Sequence, residues 1–295
     1  MFHKPRIFIS ATGDQNLDER RCLIKKEIIR TVSEAGFEPQ IFFESGLPID
    51  KAWNFSTVSE VMQRCQGAVV LGLNRSTNDT GNLTPTEYNH YEGALALAQG
   101  LPTLIIAEEG TANRGIFFNG GGQIIAYLPS DADVGWLNLD SFKLRFNSLR
   151  NLVNSHHEIF FGYSSAAQST ADAIVNFLRG RLGATVKEYS TGFQKGGTIL
   201  EEIDKSAQTC LCGIFLLTRD DQLANHESKF APRDNVLFEA GYFMKAKGKE
   251  RTLIISEEGV KMPADVGGNI YLHLKDRSDI STIREDLRFF LETRL

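Results

Sequence analysis

The run Ala231-Pro-Arg-Asp-Asn-Val-Leu-Phe-Glu-Ala-Gly-Tyr-Phe-Met244 places one carboxylate, Glu239, among apolar side chains. Pro232 suits the first turn of a helix, where its missing N–H would have no partner in any case. On that helix Asn235, Val236, Glu239, Tyr242 and Phe243 share a face, since residues three and four apart are surface neighbours. A titratable group in such a setting is a candidate for chemistry. The plainer alternative is an ion pair with an Arg or Lys near a sheet edge.

Two further motifs carry polar groups suited to a ligand. In Gly162-Tyr-Ser-Ser165, Gly162 lets the backbone approach a ligand closely, and Ser164 and Ser165 offer hydroxyls to sugar or phosphate oxygens. The same serines also suit the N-terminus of a helix expected over Thr170 to Arg181. Arg219-Asp-Asp221 reads as turn chemistry, because adjacent carboxylates on a turn point apart and make a poor divalent-ion site. Arg233, Asp234 and Asn235 are open to two uses, ligand contact and capping of the Glu239 helix. Other patterns fail in context. Asn119-Gly-Gly-Gly122 precedes a strand where a phosphate-cradling loop follows one. Gln194-Lys-Gly-Gly-Thr198 lacks that loop's spacing, and His156-His157 reads as linker. The four cysteines, with Cys210 and Cys212 two apart on a strand and so expected to point the same way, read as core residues of a reducing compartment.

The elements that must position these residues appear twice. Thr84-Pro-Thr-Glu-Tyr-Asn-His-Tyr-Glu-Gly-Ala94 aligns without gaps to Ala231 to Gly241, setting Pro85 on Pro232 and Glu92 on Glu239. Leu101 to Gly110 parallels Arg251 to Gly259, both ending Glu-Glu-Gly. Arg6-Ile-Phe-Ile-Ser10 mirrors Glu158-Ile-Phe-Phe-Gly162, and Gly67 to Leu73 mirrors Cys210 to Leu217. Apolar runs at Arg6 to Ala11, Glu38 to Phe43, Gly67 to Leu73, Thr103 to Ala107 and Gln123 to Leu128 suit parallel strands buried on both faces. Helices lie between them. Each half closes on an amphipathic helix, striped by Phe142, Phe146, Leu149, Leu152 and Val153 in the first and by Ile280, Ile283, Leu287, Phe290 and Leu291 in the second. The expected fold is α/β: two tandem flavodoxin-like, doubly wound parallel-sheet domains, residues 1–154 and 155–295.

A chain of 295 residues, 42% hydrophobic and 23% charged, is long enough for two cores. Its net charge of −5 argues against nucleic acid as partner. No apolar run approaches the roughly 20 residues of a membrane span, and the N-terminus turns straight into a strand, so the expected location is the cytoplasm.

Residues 157 to 295 resemble the TIR-like domains of nucleotide-signalled antiphage effectors, including TIR-STING fusions. The likeness runs through Ile159 to Ser165, Lys187-Glu-Tyr-Ser-Thr-Gly-Phe193, Thr209 to Asp221 and the Pro-Arg-Asp-Asn-Val-Leu-Phe-Glu-Ala-Gly motif. Tyr189 stands where the family has Trp, Ala240 where it favours Leu, and Asn225 to Phe230 form a polar excursion. The resemblance implies a nicotinamide-releasing NAD hydrolase with Glu239 as catalytic carboxylate and Gly162, Tyr163, Ser164, Ser165, Arg233, Asp234 and Asn235 around the substrate. It implies NAD as substrate and not cofactor, no metal, a cyclic or other nucleotide as activator, and assembly into a homo-oligomer or filament. One carboxylate suffices for this reaction, because the pyridinium of NAD leaves as a neutral base and needs no acid, unlike the leaving oxygen of a glycoside. An ionised Glu239 then holds ribose hydroxyls and stabilises the developing oxocarbenium charge. The first half distantly resembles nucleoside deoxyribosyltransferases as well as TIR domains, and Ser10, Thr12 and Glu92 mark its candidate ligand site, for sensing, catalysis or assembly. Two rivals stand beside the effector: a metabolic nucleoside glycosidase or transferase, and a non-catalytic nucleotide-binding adaptor.

Overall fold

The computed structural model describes residues 3–42, 53–74, 76–77, 83–188, 199–222, 230–262 and 271–295. Phe43, Tyr189, the 194–198 glycine run and most of the 225–230 excursion lie outside these residues. The chain divides into two compact units, Lys4–Ser155 and His156–Leu295, the second also holding His3.

In the first unit β1 (Arg6–Ser10), α1 (Glu19–Glu34), β2 (Glu38–Gln40), α2 (Phe55–Met62) and β3 (Gly67–Gly72) are followed by a short antiparallel pair, β4 (Ser76–Thr77) and β5 (Leu83–Thr84). Then come α3 (Glu87–Ala98), β6 (Thr103–Glu108), β7 (Ile124–Leu128) and α4 (Asp140–Asn154). The second unit repeats the plan: β8 (His157–Tyr163), α5 (Gln168–Asn176), β9 (Val186–Glu188), α6 (Ile199–Thr209), β10 (Cys210–Leu217), the antiparallel pair β11 (Asp221–Gln222) and β12 (Phe230–Ala231), α7 (Asp234–Lys247), β13 (Thr252–Glu257), β14 (Tyr271–Leu274) and α8 (Arg284–Arg294). Each sheet is five-stranded and parallel, ordered β2-β1-β3-β6-β7 and β9-β8-β10-β13-β14. That is one strand order twice, 2-1-3-4-5, the flavodoxin-like doubly wound arrangement.

The central strands are apolar throughout because helices cover both faces. β3, β6, β10 and β13 are buried along their whole length. In the second unit one layer packs Ile159, Phe161 and Tyr163 against residues of α5 and α8. The opposite layer packs Phe160, Phe215 and Leu217 against Ile203 of α6 and Val236, Ala240 and Phe243 of α7.

The repeat is exact at its punctuation. Thr86 caps α3 and Arg233 caps α7, the pair that the gapless alignment superposes. Gly110 and Gly259 end the two Glu-Glu-Gly runs with φ of +87° and +86°, the left-handed turn that a glycine takes without a Cβ clash.

Several expectations need correction. Pro232 precedes the N-cap of α7 instead of occupying its first turn, because Arg233 takes the cap. α5 starts at Gln168 and widens into a π turn over Phe177–Arg181. Leu152 is 46% exposed, off the buried stripe of α4. Ile280 lies ahead of α8 and Ile283 closes a 3-10 turn before it, yet both are buried with the stripe. Cys210 and Cys212 do not share a layer: the alternation of β10 breaks where Leu211 and Cys212 pack on the α5 and α8 side while Cys210 packs under α6 and α7. Burial pushes both thiols up, Cys210 to about 12.

Candidate active site

The inward face of α7 comprises Val236, Glu239, Ala240 and Phe243. Glu239 is 1% exposed, and its Oε2 has no hydrogen-bond partner among the described residues. Burial alone raises its carboxyl from 4.5 to about 8. A carboxyl desolvated without a donor favours its neutral form, so at neutral pH this group is mostly protonated, contrary to the ionised state expected from the residue type.

Gly162 explains how the carboxyl fits. It is a strand residue of β8, not part of a turn, and it pairs with Phe215 of β10. A Cβ built there falls 2.8 Å from Glu239 Oε2 and 2.7 Å from the Phe215 ring. The close approach that a glycine permits is therefore that of the protein's own carboxyl. Tyr163, one residue on, faces the other side of the sheet. It packs with Phe161 and Ala167, donates to Glu188 at 3.2 Å and accepts from Gln168 at 3.1 Å. The pleat thus separates Tyr163 from Glu239.

Ser164 is buried and donates to Asp220 Oδ1 at 2.9 Å, as does the Thr218 hydroxyl. Asp220 Oδ2 accepts the Arg233 backbone N–H at 3.2 Å. One carboxylate thus fastens the end of β8, the end of β10 and the start of α7. Ser164 makes no side-chain cap, and Ser165, which opens the following 3-10 turn, is exposed. Arg233 pairs with Asp221 at 3.4 Å; Asp234 is exposed in the first turn of α7, where its charge complements the helix dipole. Asn235 is exposed one turn before the buried Glu239, at the solvent end of that face. Two glutamates escaped the sequence reading. Glu257 accepts the Arg219 N–H at 2.8 Å and pairs with Arg219 and Arg277; Glu108 accepts the Asn74 N–H at 2.9 Å and pairs with Arg20 and Arg21. Their signal was the repeated Glu-Glu-Gly.

The first unit treats its helix glutamate differently. Glu92 accepts from Trp53 Nε1 at 2.9 Å and from Ser10, both opposing the upward push of burial. Asn89 in turn donates to Ser10 Oγ at 2.9 Å. Glu92 lines a cleft of about 490 Å³ with Thr12, Lys25, Trp53 and Tyr88. The Thr12 hydroxyl is buried without a partner among the described residues. Lys25 bonds the Thr12 carbonyl and Asp14. Among the described residues no His, Cys, Asp and Glu cluster suits a metal, and no helix is long and apolar enough to cross a membrane.

Residues 158–276 match the CAP12/Pycsar effector protein TIR domain. This region is a TIR domain. CD-NTase-associated protein 12 of Sphingobacterium faecium is 32% identical over 111 residues, 37% of this chain and 34% of that protein. Pycsar effector protein BcPycTIR of Burkholderia cepacia is 33% identical over 79 residues, 26% of each chain. The matched TIR stretch spans about a third of the curated relatives' length or less. A solved Clostridium botulinum CMP N-glycosidase, BcmB, superposes with a TM-score of 0.31 at 14% identity, covering 48% of this chain and 98% of that one.

Proposed function

We propose that the TIR domain hydrolyses the N-glycosidic bond of NAD, releasing nicotinamide, with Glu239 as the carboxylate that meets the ribose. The observation that carries this reading is the unpartnered Glu239 oxygen on the buried face of α7, in a TIR domain. Water adds at the anomeric carbon, the pyridinium takes the bond electrons and leaves neutral, and a proton is released. Ribose hydroxyls donating to Glu239 give it the bonds it lacks and draw its ionisation down. The ionised group then stabilises the oxocarbenium charge, an interaction that grows in the transition state.

Relatives named as CD-NTase-associated protein and as Pycsar effector support a place downstream of a cyclic-nucleotide signal in antiphage defence. The first unit is then the regulatory module, with Ser10, Thr12 and Glu92 at its ligand cleft, and assembly into a homo-oligomer completes activation. Free NAD hydrolysis would harm the host, so control is part of the reading. The test is purified full chain with NAD and a panel of cyclic nucleotides, followed by chromatography for nicotinamide. Conditional release that vanishes in Glu239→Gln supports the proposal. Release that survives in that variant removes Glu239 from the mechanism, and base exchange between nucleosides favours a transferase.

A further inference from the structure

Gly162 and Ser10 occupy one place in the two sheets. Each ends the aligned pentapeptide of its opening strand, and each pairs with the third strand at equivalent residues, Phe215 and Val70. We infer that the residue at this place decides how the helix glutamate is used: Gly162 seats the buried Glu239 carboxyl against β8 with no donor to its Oε2 among the described residues, whereas Ser10 ties Glu92 into a fixed relay. The inference deepens the reading of Glu239 as the ribose-facing group and rests on it.

The contacts argue for this directly. In the relay Asn89 Nδ2 fills the Ser10 acceptor, so the serine proton is directed to Glu92, and Trp53 holds the other side. In the TIR domain no side chain stands at the equivalent point, and the carboxyl occupies the vacated space. Among the described residues no charged neighbour takes over the role: Asp204 of α6 is engaged by Tyr242, Glu257 of β13 by Arg219 and Arg277, and Glu158 of β8 by the Thr185 backbone. Among the described residues burial is the one cause acting on Glu239. Gly162 is thus a positioning residue that acts through Glu239.

The test compares Gly162→Ser with Gly162→Ala in the full chain. The serine adds bulk and a donor, the alanine bulk alone. Glu239 ionisation is followed by carbon-13 NMR of its carboxyl, and nicotinamide release is followed against pH. The serine variant is expected to lower the Glu239 midpoint by about one unit or more from the parent's value, because a donor favours the charged form. Its kcat on the pH plateau is expected to fall about tenfold with KM little changed, since the occupied oxygen is missed mainly in the transition state. The alanine variant is expected not to lower the midpoint. A serine variant that titrates with the parent overturns the inference, as does an alanine variant that shifts equally far down. If neither variant folds, Ser10→Ala decides: the Glu92 midpoint, read by carbon-13 NMR of its carboxyl, must rise, and an unchanged midpoint overturns the inference. Absence of NAD turnover in the activated parent defeats the hydrolase reading alone, because the carboxyl titrations still report what position 162 does.

Discussion

Glu92 and Glu239 sit on helices with superposable N-caps, each following the third strand of a 2-1-3-4-5 sheet. Glu92 borders an open cleft and receives Trp53 and Ser10; Glu239 lies over a glycine and receives no donor among the described residues. Fold and helix register are therefore not what separates the two sites. The separation comes from a few side chains around a shared carboxyl, and these set whether it is tied to protein donors or left without them. That is the general relation of function to fold, in which chemistry belongs to the site.

The largest expected effect is on stability. Glu239 is raised from 4.5 to about 8 in the folded protein, so folding takes up a proton across that interval. Its favourable contribution is fully present below about pH 4.5 and is lost progressively as pH rises from there through about 8, a change on the order of 5 kcal/mol. Glu239→Gln, neutral at every pH, should lack this alkaline loss. Both tryptophans lie in the first unit, so the measurement is hydrogen exchange of β10 amides at pH 5 and pH 9. A parent whose β10 protection follows the same pH course as the variant's would show that Glu239 ionises as an ordinary carboxyl.

On catalysis, Glu239→Gln keeps the size of the side chain and removes its charge. It should reduce activated NAD hydrolysis at least about a hundredfold, the scale of losing one preorganised electrostatic group. Nicotinamide release within a few fold of the parent would break the comparison at its catalytic end.

The architecture was largely legible in the sequence, and for a physical reason. Parallel strands buried on both faces must be continuously apolar, as in Gly67 to Leu73, and a gapless repeat carries register with it, so Pro85 on Pro232 located the Glu92 and Glu239 helices together. Contacts across long separations were not legible. Trp53 reaches Glu92 over 39 residues, and Asp220 reaches Ser164 over 56, with no periodicity linking either pair. Tyr163 shows the cost of reading Gly162 to Ser165 as one turn: strand β8 continues through it, and the pleat turns its ring away. The state of Glu239 was equally hidden, because desolvation depends on what covers a group and not on its neighbours in sequence.

A sensor role for the first unit can be separated from catalysis there. Glu92→Ala removes the acceptor of Trp53, and if the cleft takes the activator, the concentration needed for half-activation should rise about tenfold, the lower range of allosteric coupling. More ligand should recover the rate, since a ligand shifts an equilibrium through its differential affinity for two states. A lowered plateau at an unchanged midpoint in the activation curve would instead assign Glu92 to the chemistry.

The smallest expected effect concerns the caps. Thr86 and Asn89 form a reciprocal capping box on α3, while Arg233 offers α7 no side-chain cap and leaves Asp220 to accept its backbone N–H. Thr86→Ala should cost the first unit about 1 kcal/mol. Arg233→Ser should return several tenths of a kcal/mol to the second, provided the serine caps without displacing Asp220. Hydrogen exchange of the first-turn amides of α3 and α7 reads both ends in one experiment. If Arg233→Ser steadies α7 and also slows NAD hydrolysis, the uncapped start of the helix is kept for the freedom it gives Glu239; if turnover is unchanged, the cap is a stability feature alone and the difference between the two units narrows to the residues that touch their glutamates.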